Sequence, residues 1–418
     1  MRIGVVGAGA AGLVSAWLLQ DDHDVVLVEA GSRPGGHAET VQVEVEGGVV
    51  DVELGPQFFF PEGYGGLHAL LNRLGLTATP QRIRLTANLG EPQGTLVLPP
   101  LSLHAMGRLL NTTTLGQLYW FLRFGWGGEA VIREGDWSVS LQALVDRLGI
   151  PRYAAEGLII PLVAANWGVS VEQARALSAY SVSRVMGMRP TRLPTSHTVP
   201  GGLGAYAHAL VADAPRLTLR LNSPARGLTP LPEGGLALDA GDRVERFDVV
   251  ILACDWRASA AICRDAPALA DWRRAFAAFE DYDTTIAVHR DARVMPADRR
   301  LWQIGNADLV PGRRPRNTVW SGLPAKADLF RSWLRPEEDE PSGTLHIREF
   351  KHILMTTDHH TRQQALARLQ GTGGLWAAGM YTDGVDNHES AIRSAVKVAK
   401  VLAPEAERVR WLAERVSD

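Results

Sequence analysis

The chain has 418 residues and an ordinary globular composition, with 46% hydrophobic and 21% charged residues. That length predicts two to three structural units, and the composition excludes a largely disordered protein. The near balance of 43 basic and 46 acidic residues, a formal net charge of -3, gives no electrostatic footprint for nucleic acid. Two cysteines, Cys254 and Cys263, cannot supply a disulfide framework, so we expect a reducing, cytoplasmic location.

The N-terminal segment 1–19 is apolar enough to resemble the core of a secretory leader. It is punctuated by glycines, however, and acidic residues at 21, 22 and 24 follow with no small-residue cleavage site. The longest apolar stretch elsewhere, 157–169, contains Pro161 and is too short to span a bilayer. We therefore expect neither a leader nor a transmembrane segment.

A strand, a glycine turn, a helix and a second strand are predicted at the start of the chain. The β-branched run at 2–6 leads into the turn, in which Gly7 permits the tight bend and Gly9 lets the backbone approach a pyrophosphate. Gly12 lets the following helix pack closely on the strand. The free N–H groups at the start of that helix, beside Ala10 and Ala11, would face the phosphate charge.

The second strand, 24–28, is followed by an acidic residue that indicates which dinucleotide is bound. Glu29 follows the glycine turn by the length of one helix and one strand, and it can accept hydrogen bonds from a ribose diol. An acid at this point argues against a 2′-phosphate, so NADP is disfavoured. The segment is therefore a dinucleotide-binding fingerprint in its expected context.

The next residues resemble the extended FAD motif of the flavin amine oxidase and phytoene desaturase superfamily. The residues that carry this resemblance are Ala30, Arg33, Gly35, Gly36 and His37. A strand-then-glycine segment follows, and the resemblance implies that it lies beside the flavin ring through Gly55, Pro56, Gln57 and Phe58. Amine oxidases usually carry Arg at the position of His37. We favour non-covalent FAD over a histidyl-flavin bond at that residue.

Two later segments match the same superfamily in order. The first consists of three predicted strands bounded by proline and glycine, at 217–225, 235–238 and 247–254. The resemblance implies that the backbone of Ala225 meets the adenine and that Ala253 and Cys254 pass close to the cofactor. We interpret Cys254 as a small buried residue and not as a redox thiol.

The last segment is a predicted strand, glycine turn and helix at 374–402. Apolar residues recur along the helix with a period of 3.6, as in a helix packed on a sheet. The resemblance implies that its N-terminus faces the flavin, where it would stabilise negative charge. The cofactor-binding residues implied here are Gly379, Met380, His388, Glu389, Ser390 and Ala391.

A narrower resemblance covers residues 1–402. It is to a little-characterised branch of FAD-binding amine-oxidase-like proteins, often encoded near cyclopropane fatty-acid synthases. The motifs that carry it lie at 158–167, 198–202, 288–296 and 388–389. This chain has Arg290 where the branch usually has Thr, and Ser390-Ala391 where it usually has Asp-Gly. The substrate preference of the branch therefore transfers poorly.

The pattern as a whole predicts an α/β fold, with a Rossmann-like FAD-binding domain and an inserted mixed α+β substrate domain. The FAD-binding domain is expected to be discontinuous, at 1–65, 195–262 and 365–402. The substrate domain is expected at 66–194 and 263–364, followed by a tail helix at 403–418. The first insertion is predicted to be mainly helical, with helices at 67–74, 101–124, 140–148 and 171–186.

Candidate substrate-pocket residues are the aromatic side chains Phe58, Phe59 and Trp167. Core packing is the alternative explanation for Phe59 and Trp167. Flavin itself accepts a hydride at N5, so a shaped pocket can suffice without an acid–base triad. Tyr381 lies within the last flavin segment and is a candidate catalytic residue.

Many amine oxidases use a lysine that is bridged by water to N5. Lys351 is the lysine best placed for that role here, although a solvent-facing strand position is the alternative. Its neighbour His352 can titrate near neutrality and serve as a base. The pair His359-His360 lacks a spaced third ligand, so we interpret it as a polar loop and expect no metal site.

The leading hypothesis is an FAD-dependent oxidoreductase that takes a hydride from a C–N or C–C bond of a small or medium organic substrate. The 12 tryptophans hint at an apolar or aromatic ligand. A redox-neutral, flavin-dependent double-bond isomerase is one alternative, and an FAD-binding partner subunit without its own activity is another. The electron acceptor and the oligomeric state stay open, with a homodimer among the options.

Overall fold

A parallel sheet of five strands forms around the N-terminal strand. The structure, a computed structural model, describes residues 1–91, 93–99, 106–107, 111–186 and 195–416. The central strands are apolar and buried, as expected for a sheet covered on both faces. In spatial order the strands are Leu375–Ala377, Val249–Leu252, Arg2–Val6, Asp24–Val28 and Thr218–Arg220. Three separated parts of the chain build this sheet, which confirms the predicted Rossmann-like arrangement.

Helices cover one face of the sheet. Alternate strand residues such as Ile3 and Val5 point into this first core, where helices Ala10–Leu19 and His388–Leu402 pack against each other. The other helices of the first core are Gly65–Arg73, Leu203–Ala212 and Glu407–Ala413. The last of these lies within the predicted tail helix, whose final two residues are outside the described part of the chain.

The opposite face of the sheet is covered by strands and helices that form a second core. Three antiparallel strands lie there, Ala225–Pro230, Leu236–Ala240 and Arg243–Phe247. The helices of this core are Trp256–Ile262, Ala270–Ala277 and His359–Ala367. His359 is fully buried at the start of the last helix, so the interpretation of His359-His360 as a polar loop is wrong.

A seven-stranded mixed sheet unites the two insertions. In spatial order its strands are His346–Ile353, Asp281–His289, Phe330–Trp333, Arg316–Val319, Gly305–Asp308, Leu85–Asn88 and Thr95–Leu98. Neighbouring strands are antiparallel except for the fifth and sixth, which are parallel. Two further strand pairs are Thr40–Val45 with Gly48–Glu53 and Thr79–Arg82 with Thr195–Thr198. The mixed sheet agrees with the predicted fold class.

Helices pack on one another in the first insertion. They are Thr112–Glu134, Leu141–Arg147, Arg152–Ala154, Ile160–Trp167, Val171–Ala176 and Ala179–Met186, with a π-helical turn at Ala155–Ile159. The predicted helix 101–124 falls partly outside the described residues, and within them the helix begins at Thr112. The predicted helix 171–186 is interrupted because Leu177 and Ser178 form bridges to Thr356 and Ser140.

The prediction that the first insertion is mainly helical missed three strands, at 79–82, 85–88 and 95–98. Helix Gly65–Arg73 belongs to the first core and Ala270–Ala277 to the second, although the sequence assigned nearly all of both to the substrate domain. The division into domains stays a prediction. Within the described residues, no helix combines the length and the apolar character needed to cross a bilayer.

The glycine turn generates a stability prediction. A Cβ on Gly12 would overlap the carbonyl oxygen of Gly7, whereas a Cβ on Gly9 would meet nothing within 4 Å. We expect Gly12→Ala to lower the free energy of unfolding of the cofactor-free protein by about 1–3 kcal/mol and Gly9→Ala to leave it nearly unchanged. Urea unfolding of both variants checks this, and equal midpoints would contradict the packing described.

Candidate active site

Glycine backbones lie in close contact at the carboxyl edge of the five-stranded sheet. Gly7 has φ +98°, and a Cβ there would lie 2.9 Å from the backbone nitrogen of Cys254. The N–H of Gly35 donates to the carbonyl of Ala8 at 2.7 Å, and a Cβ on Gly36 would lie 3.0 Å from the Cα of Gly9. The predicted glycine pair therefore sits directly against the dinucleotide turn, whose Gly9 faces open space.

Glu29 ends its strand beside this turn. Its carboxylate accepts the backbone N–H groups of Ala8 and Gly31, each at 2.7 Å. The backbone carbonyl of Glu29 accepts the N–H of Ser223 at 2.8 Å, which brings the segment that leads to Ala225 to the same edge. A carboxylate can accept about four hydrogen bonds, so two acceptor positions remain for a ribose diol. Ala30, the next residue, is exposed.

Arg33 clamps the loop that follows. Its guanidinium donates to the carbonyls of Gly36 at 3.0 Å and Ala38 at 3.3 Å, and it pairs with Glu39. These bonds fix the loop that carries the glycine pair. The structure thus gives Arg33 a structural role, and its contact with a cofactor stays a prediction.

His37 lies at the junction of the two sheets. A Cβ on Gly55 would overlap the carbonyl oxygen of His37, so the Gly55 segment passes directly over this residue. The His37 ring lies 5.0 Å from Phe350 and 5.7 Å from His352, centroid to centroid. The side chain is accessible to solvent, yet surrounding protein lowers its pKa to about 4, chiefly by desolvation and next by the charge of His352. His37 therefore lines an internal crevice as a neutral ring.

We call this space the central crevice. Around the His37 ring it is bounded by Gly55, Phe350 and His352, with Thr284 next to His352 and His388 near enough to His37 for their charges to interact. His388 lies at the N-terminus of its helix, and burial lowers its pKa to about 4. Asn387 caps that helix by accepting the N–H of Ser390 at 2.8 Å.

Strand register brings polar side chains together on the mixed-sheet wall. Asp281–His289 pairs with His346–Ile353 so that Tyr282 lies opposite His352, and the two rings stack at 5.3 Å. The Nε2 of His352 lies 3.0 Å from the hydroxyl of Thr284. Its Nδ1 faces a carboxylate oxygen of Asp386 at 3.9 Å. His352 is thus held between a hydroxyl and a carboxylate.

The structure separates His352 from its sequence neighbour. Side chains alternate along a strand, and Lys351 is exposed on the opposite face from His352. The Tyr381 ring packs in the second core instead of at the crevice wall. It is buried there against Trp256, Phe276 and Phe279. The catalytic roles expected for Lys351 and Tyr381 gain no support from these positions.

Two other predicted cofactor residues have structural partners. The buried carboxylate of Glu389 accepts the N–H groups of Gly66 at 2.7 Å and Leu67 at 2.9 Å, so it caps the helix Gly65–Arg73. The Cys254 thiol lies 3.3 Å from the Ser259 hydroxyl, and burial raises the pKa of Cys254 to about 12. Cys254 therefore remains a thiol, as expected of a packed residue.

The remaining expected residues differ in their burial and their partners. Gly379 donates its N–H to Ser394, and Met380 packs at the margin of both cores. Four of these residues are partly exposed, namely Ala10, Pro56, Phe58 and Ala253. Ala11 and Ala391 are buried in their helices. Phe59 is buried against Tyr64 and His68, which supports its alternative explanation as core.

Trp167 ends a helix that approaches the crevice wall. The Trp167 side chain is mostly buried. The next residue is Gly168, and a Cβ there would lie 3.0 Å from Thr284 and would overlap Trp333. The helix end therefore packs on the same sheet face as Thr284. Sequence reasoning missed Thr284, Trp333 and Asp386, because a single Thr, Trp or Asp carries no motif and only strand register brings these residues together.

A buried arginine and a buried carboxyl fix the segment from Glu53 to Gly55. The Arg331 guanidinium donates to the backbone carbonyls of Glu53 at 3.0 Å and Gly55 at 2.7 Å, and burial lowers its pKa to about 10. The Glu53 carboxyl accepts the Leu203 N–H and the Thr40 hydroxyl. Desolvation nevertheless raises the pKa of Glu53 to about 7.

Fold and site together define a dinucleotide-binding protein with a crevice between a parallel and a mixed sheet. Residues 10–290 match the family described as flavin-containing amine oxidoreductases. This match covers well over half of the chain, and the chain belongs to that family. A segment of 49 residues is 53% identical to an L-amino-acid oxidase of Siganus canaliculatus, but it spans only 12% of this chain and 9% of that protein.

Solved structures share the fold at low sequence identity. A CLA-producing fatty acid isomerase from P. acnes has a TM-score of 0.69 and 14% identity, covering 97% of this chain and 98% of that one. Cyclohexylamine oxidase from Brevibacterium oxydans IH-35A has a TM-score of 0.65 and 17% identity, covering 97% and 99%. Putrescine oxidase bound to putrescine has a TM-score of 0.65 and 15% identity, covering 97% and 100%. These likenesses establish the fold.

The residues present fit the flavin that the family binds. The open side of Gly9 gives a phosphate access to the backbone, and Glu29 offers acceptors for a ribose. Among the described residues, Gln57 Oε1 and His388 Nε2 are buried polar atoms with no hydrogen-bond partner. Orphaned polar atoms of this kind are costly unless a ligand satisfies them. Gln57 follows the Gly55-Pro56 segment, and His388 begins its helix.

Glu29 generates a binding prediction. We expect Glu29→Ala to weaken flavin binding by about 1–3 kcal/mol, because the ribose loses its acceptor and Ala8 and Gly31 lose theirs. Glu29→Gln keeps one acceptor oxygen and should fall between Ala and the parent. Titration of cofactor-free protein with flavin, followed by fluorescence, measures the difference. Unchanged retention in the Ala variant would remove Glu29 from the site.

Glu53 generates a pH prediction. Because its folded pKa is raised from 4.5 to about 7, the folded protein holds a proton that the unfolded chain releases. The free energy of unfolding therefore falls as pH rises through that interval. Glu53→Gln should reduce the fall by roughly 2 kcal/mol. Urea unfolding at pH 5 and pH 7.5 checks this against Glu44→Gln, an exposed carboxylate on the same hairpin, which should behave like the parent.

Proposed function

We propose that the protein is an FAD-dependent oxidoreductase of the amine oxidase type, acting on a C–N bond. The observation that carries this proposal is the placement of His352 between Asp386 and Thr284 on the crevice wall. FAD, when bound, supplies the hydride-accepting chemistry. The chain's own residues must therefore bind the substrate, exclude water and handle one proton.

The proton arises because an alkylammonium must become a neutral amine before its C–H bond can give up a hydride. In the arrangement we propose, His352 Nε2–H donates to the Thr284 hydroxyl, which leaves Nδ1 as an acceptor on the Asp386 side. The substrate N–H proton then moves to Nδ1. The Asp386 carboxylate, 3.9 Å away, stabilises the resulting imidazolium and attracts the incoming ammonium.

The rest of the wall suits an organic substituent of low polarity. Phe350 and Tyr282 place aromatic rings next to His352, and Trp333 lies with Thr284 against Gly168. His37 and His388 have lowered pKa values and are neutral near pH 7, so they do not repel a cationic substrate. An amine with an apolar or aromatic substituent is the substrate class that these groups accommodate.

A kinetic comparison tests the assignment. We expect Asp386→Asn and His352→Gln to retain FAD and to slow flavin bleaching by an amine roughly 10²-fold at pH 7, the usual size of a general-base contribution. Raising the pH toward the amine pKa should restore part of the rate in His352→Gln, because a neutral amine needs no base. Lys351→Met is the matched control, since Lys351 adjoins His352 but is exposed on the other face of the sheet.

The substrate screen separates the alternatives. Anaerobic stopped-flow mixing with amines and with unsaturated fatty acids is followed at the flavin absorbance. Bleaching by amines supports the proposal, whereas bleaching by unsaturated acids alone would assign the reaction to a C–C bond. Turnover of a double bond with no net bleaching would make the protein an isomerase. Inertness toward every compound, with stable co-purification of another protein, would leave a partner subunit.

A further inference from the structure

The helix Thr112–Glu134 has an inner and an outer face of different kinds. Its inner face is buried through residues such as Gln117, Phe124 and Val131, of which Phe124 and Val131 belong to the helical core of the first insertion. Its outer face carries Leu115, Tyr119, Leu122 and Trp126. Their spacing of four, three and four residues places them in one line along the helix.

We call these four residues the outer stripe. Each is between 42% and 55% exposed, which is unusual for large apolar side chains in a row. Tyr153, 44% exposed, extends the patch sideways because its hydroxyl packs where a Cβ on Gly116 would lie. The stripe is thus a continuous apolar surface with aromatic residues at its centre and end.

Charge is distributed unevenly around the outer stripe. Residues 112–122 include no Asp, Glu, Lys or Arg, although much of this stretch faces outward. Two exposed arginines are near the stripe: Arg123 lies seven residues after Gly116 and so on the helix side that meets Tyr153, and Arg152 directly precedes Tyr153 in the chain. Within the described part of the chain, neither guanidinium has an ion-pair partner. The patch therefore combines an apolar centre with a free basic edge.

We propose that the outer stripe and its two arginines form a docking surface for an anionic lipid membrane. Tyr and Trp are the side chains most enriched at the membrane–water interface, and Leu inserts into the acyl boundary. The free arginines complement the negative headgroups beside them. The helix would lie in the plane of the interface, with its inner face still packed on the protein. This surface is independent of the reaction proposed above.

A second copy of the chain fits the outer stripe less well. Five side chains about half exposed offer on the order of 500 Å², whereas a stable interface usually buries about 800 Å² per partner. The arginine edge would also meet the arginine edge of an identical chain in a symmetric dimer. A lipid surface needs neither a larger area nor a complementary shape.

Vesicle sedimentation tests the proposal. The flavin-loaded protein is mixed with vesicles of phosphatidylcholine alone or of phosphatidylcholine and phosphatidylglycerol in a two-to-one ratio, and the pelleted fraction is measured. We expect binding to the anionic vesicles, a blue shift of tryptophan fluorescence, and at least tenfold weaker binding by the double variant Tyr119→Glu, Trp126→Glu. Val244→Glu is the matched control, because Val244 is 70% exposed on a distant strand and should bind as the parent does.

A second variant isolates the charge. Arg123→Gln with Arg152→Gln should weaken binding to the anionic vesicles by roughly fivefold per arginine and leave binding to neutral vesicles unchanged. Because all four substituted side chains are exposed, flavin content and circular dichroism should match the parent. Failure of the parent to pellet with either vesicle overturns the proposal. A parent dimer that the glutamate variant dissociates, without vesicle binding, overturns it in favour of a second copy.

Discussion

Close approach of glycine backbones is the constraint on which the site depends. Gly12 lies against Gly7, Gly36 lies against Gly9, and Gly55 lies against the carbonyl of His37. These contacts bring the dinucleotide turn, the loop after Glu29 and the segment from Glu53 to Gly55 into one continuous surface. A side chain on Gly12, Gly36 or Gly55 would force these backbone segments apart. Glycine at these positions therefore keeps the dinucleotide turn next to the crevice.

Desolvation controls the protonation of several groups around the crevice. It lowers the pKa of His37 and His388, raises that of Glu53, and leaves Arg331 to hold the segment from Glu53 to Gly55 through backbone carbonyls. Next to these groups, a carboxylate oxygen of Asp386 lies 3.9 Å from Nδ1 of His352. Asp386 and His352 are the pair to which we assign the proton transfer.

The sequence predicts the parts of the fold that are locally determined. The runs at 2–6 and 249–252 are apolar and β-branched, so their burial in a parallel sheet follows from composition alone. The strands at 79–82 and 85–88 are short and largely polar, and they exist because distant segments pair with them. Local pattern contains no information about such partners.

The site shows the same division between local and long-range information. Glu29 and the glycines follow from a motif, whereas Thr284 and Asp386 reach His352 only through strand register and a loop. Tyr381 shows the converse case, because the short turn Met380–Thr382 directs its ring to the second core, on the opposite side of the sheet from the helix that follows. A motif gives the position of a residue along the chain but not the direction of its side chain.

The visible absorption spectrum of the purified protein, before and after acid precipitation, tests the central claim most directly. A flavin spectrum that moves to the supernatant on precipitation is the predicted result, because we propose that hydrogen bonds and backbone dipoles hold FAD without a covalent bond. Colour that stays in the pellet would contradict non-covalent binding and point to His37. A colourless protein that takes up no added FAD would contradict the flavin site itself.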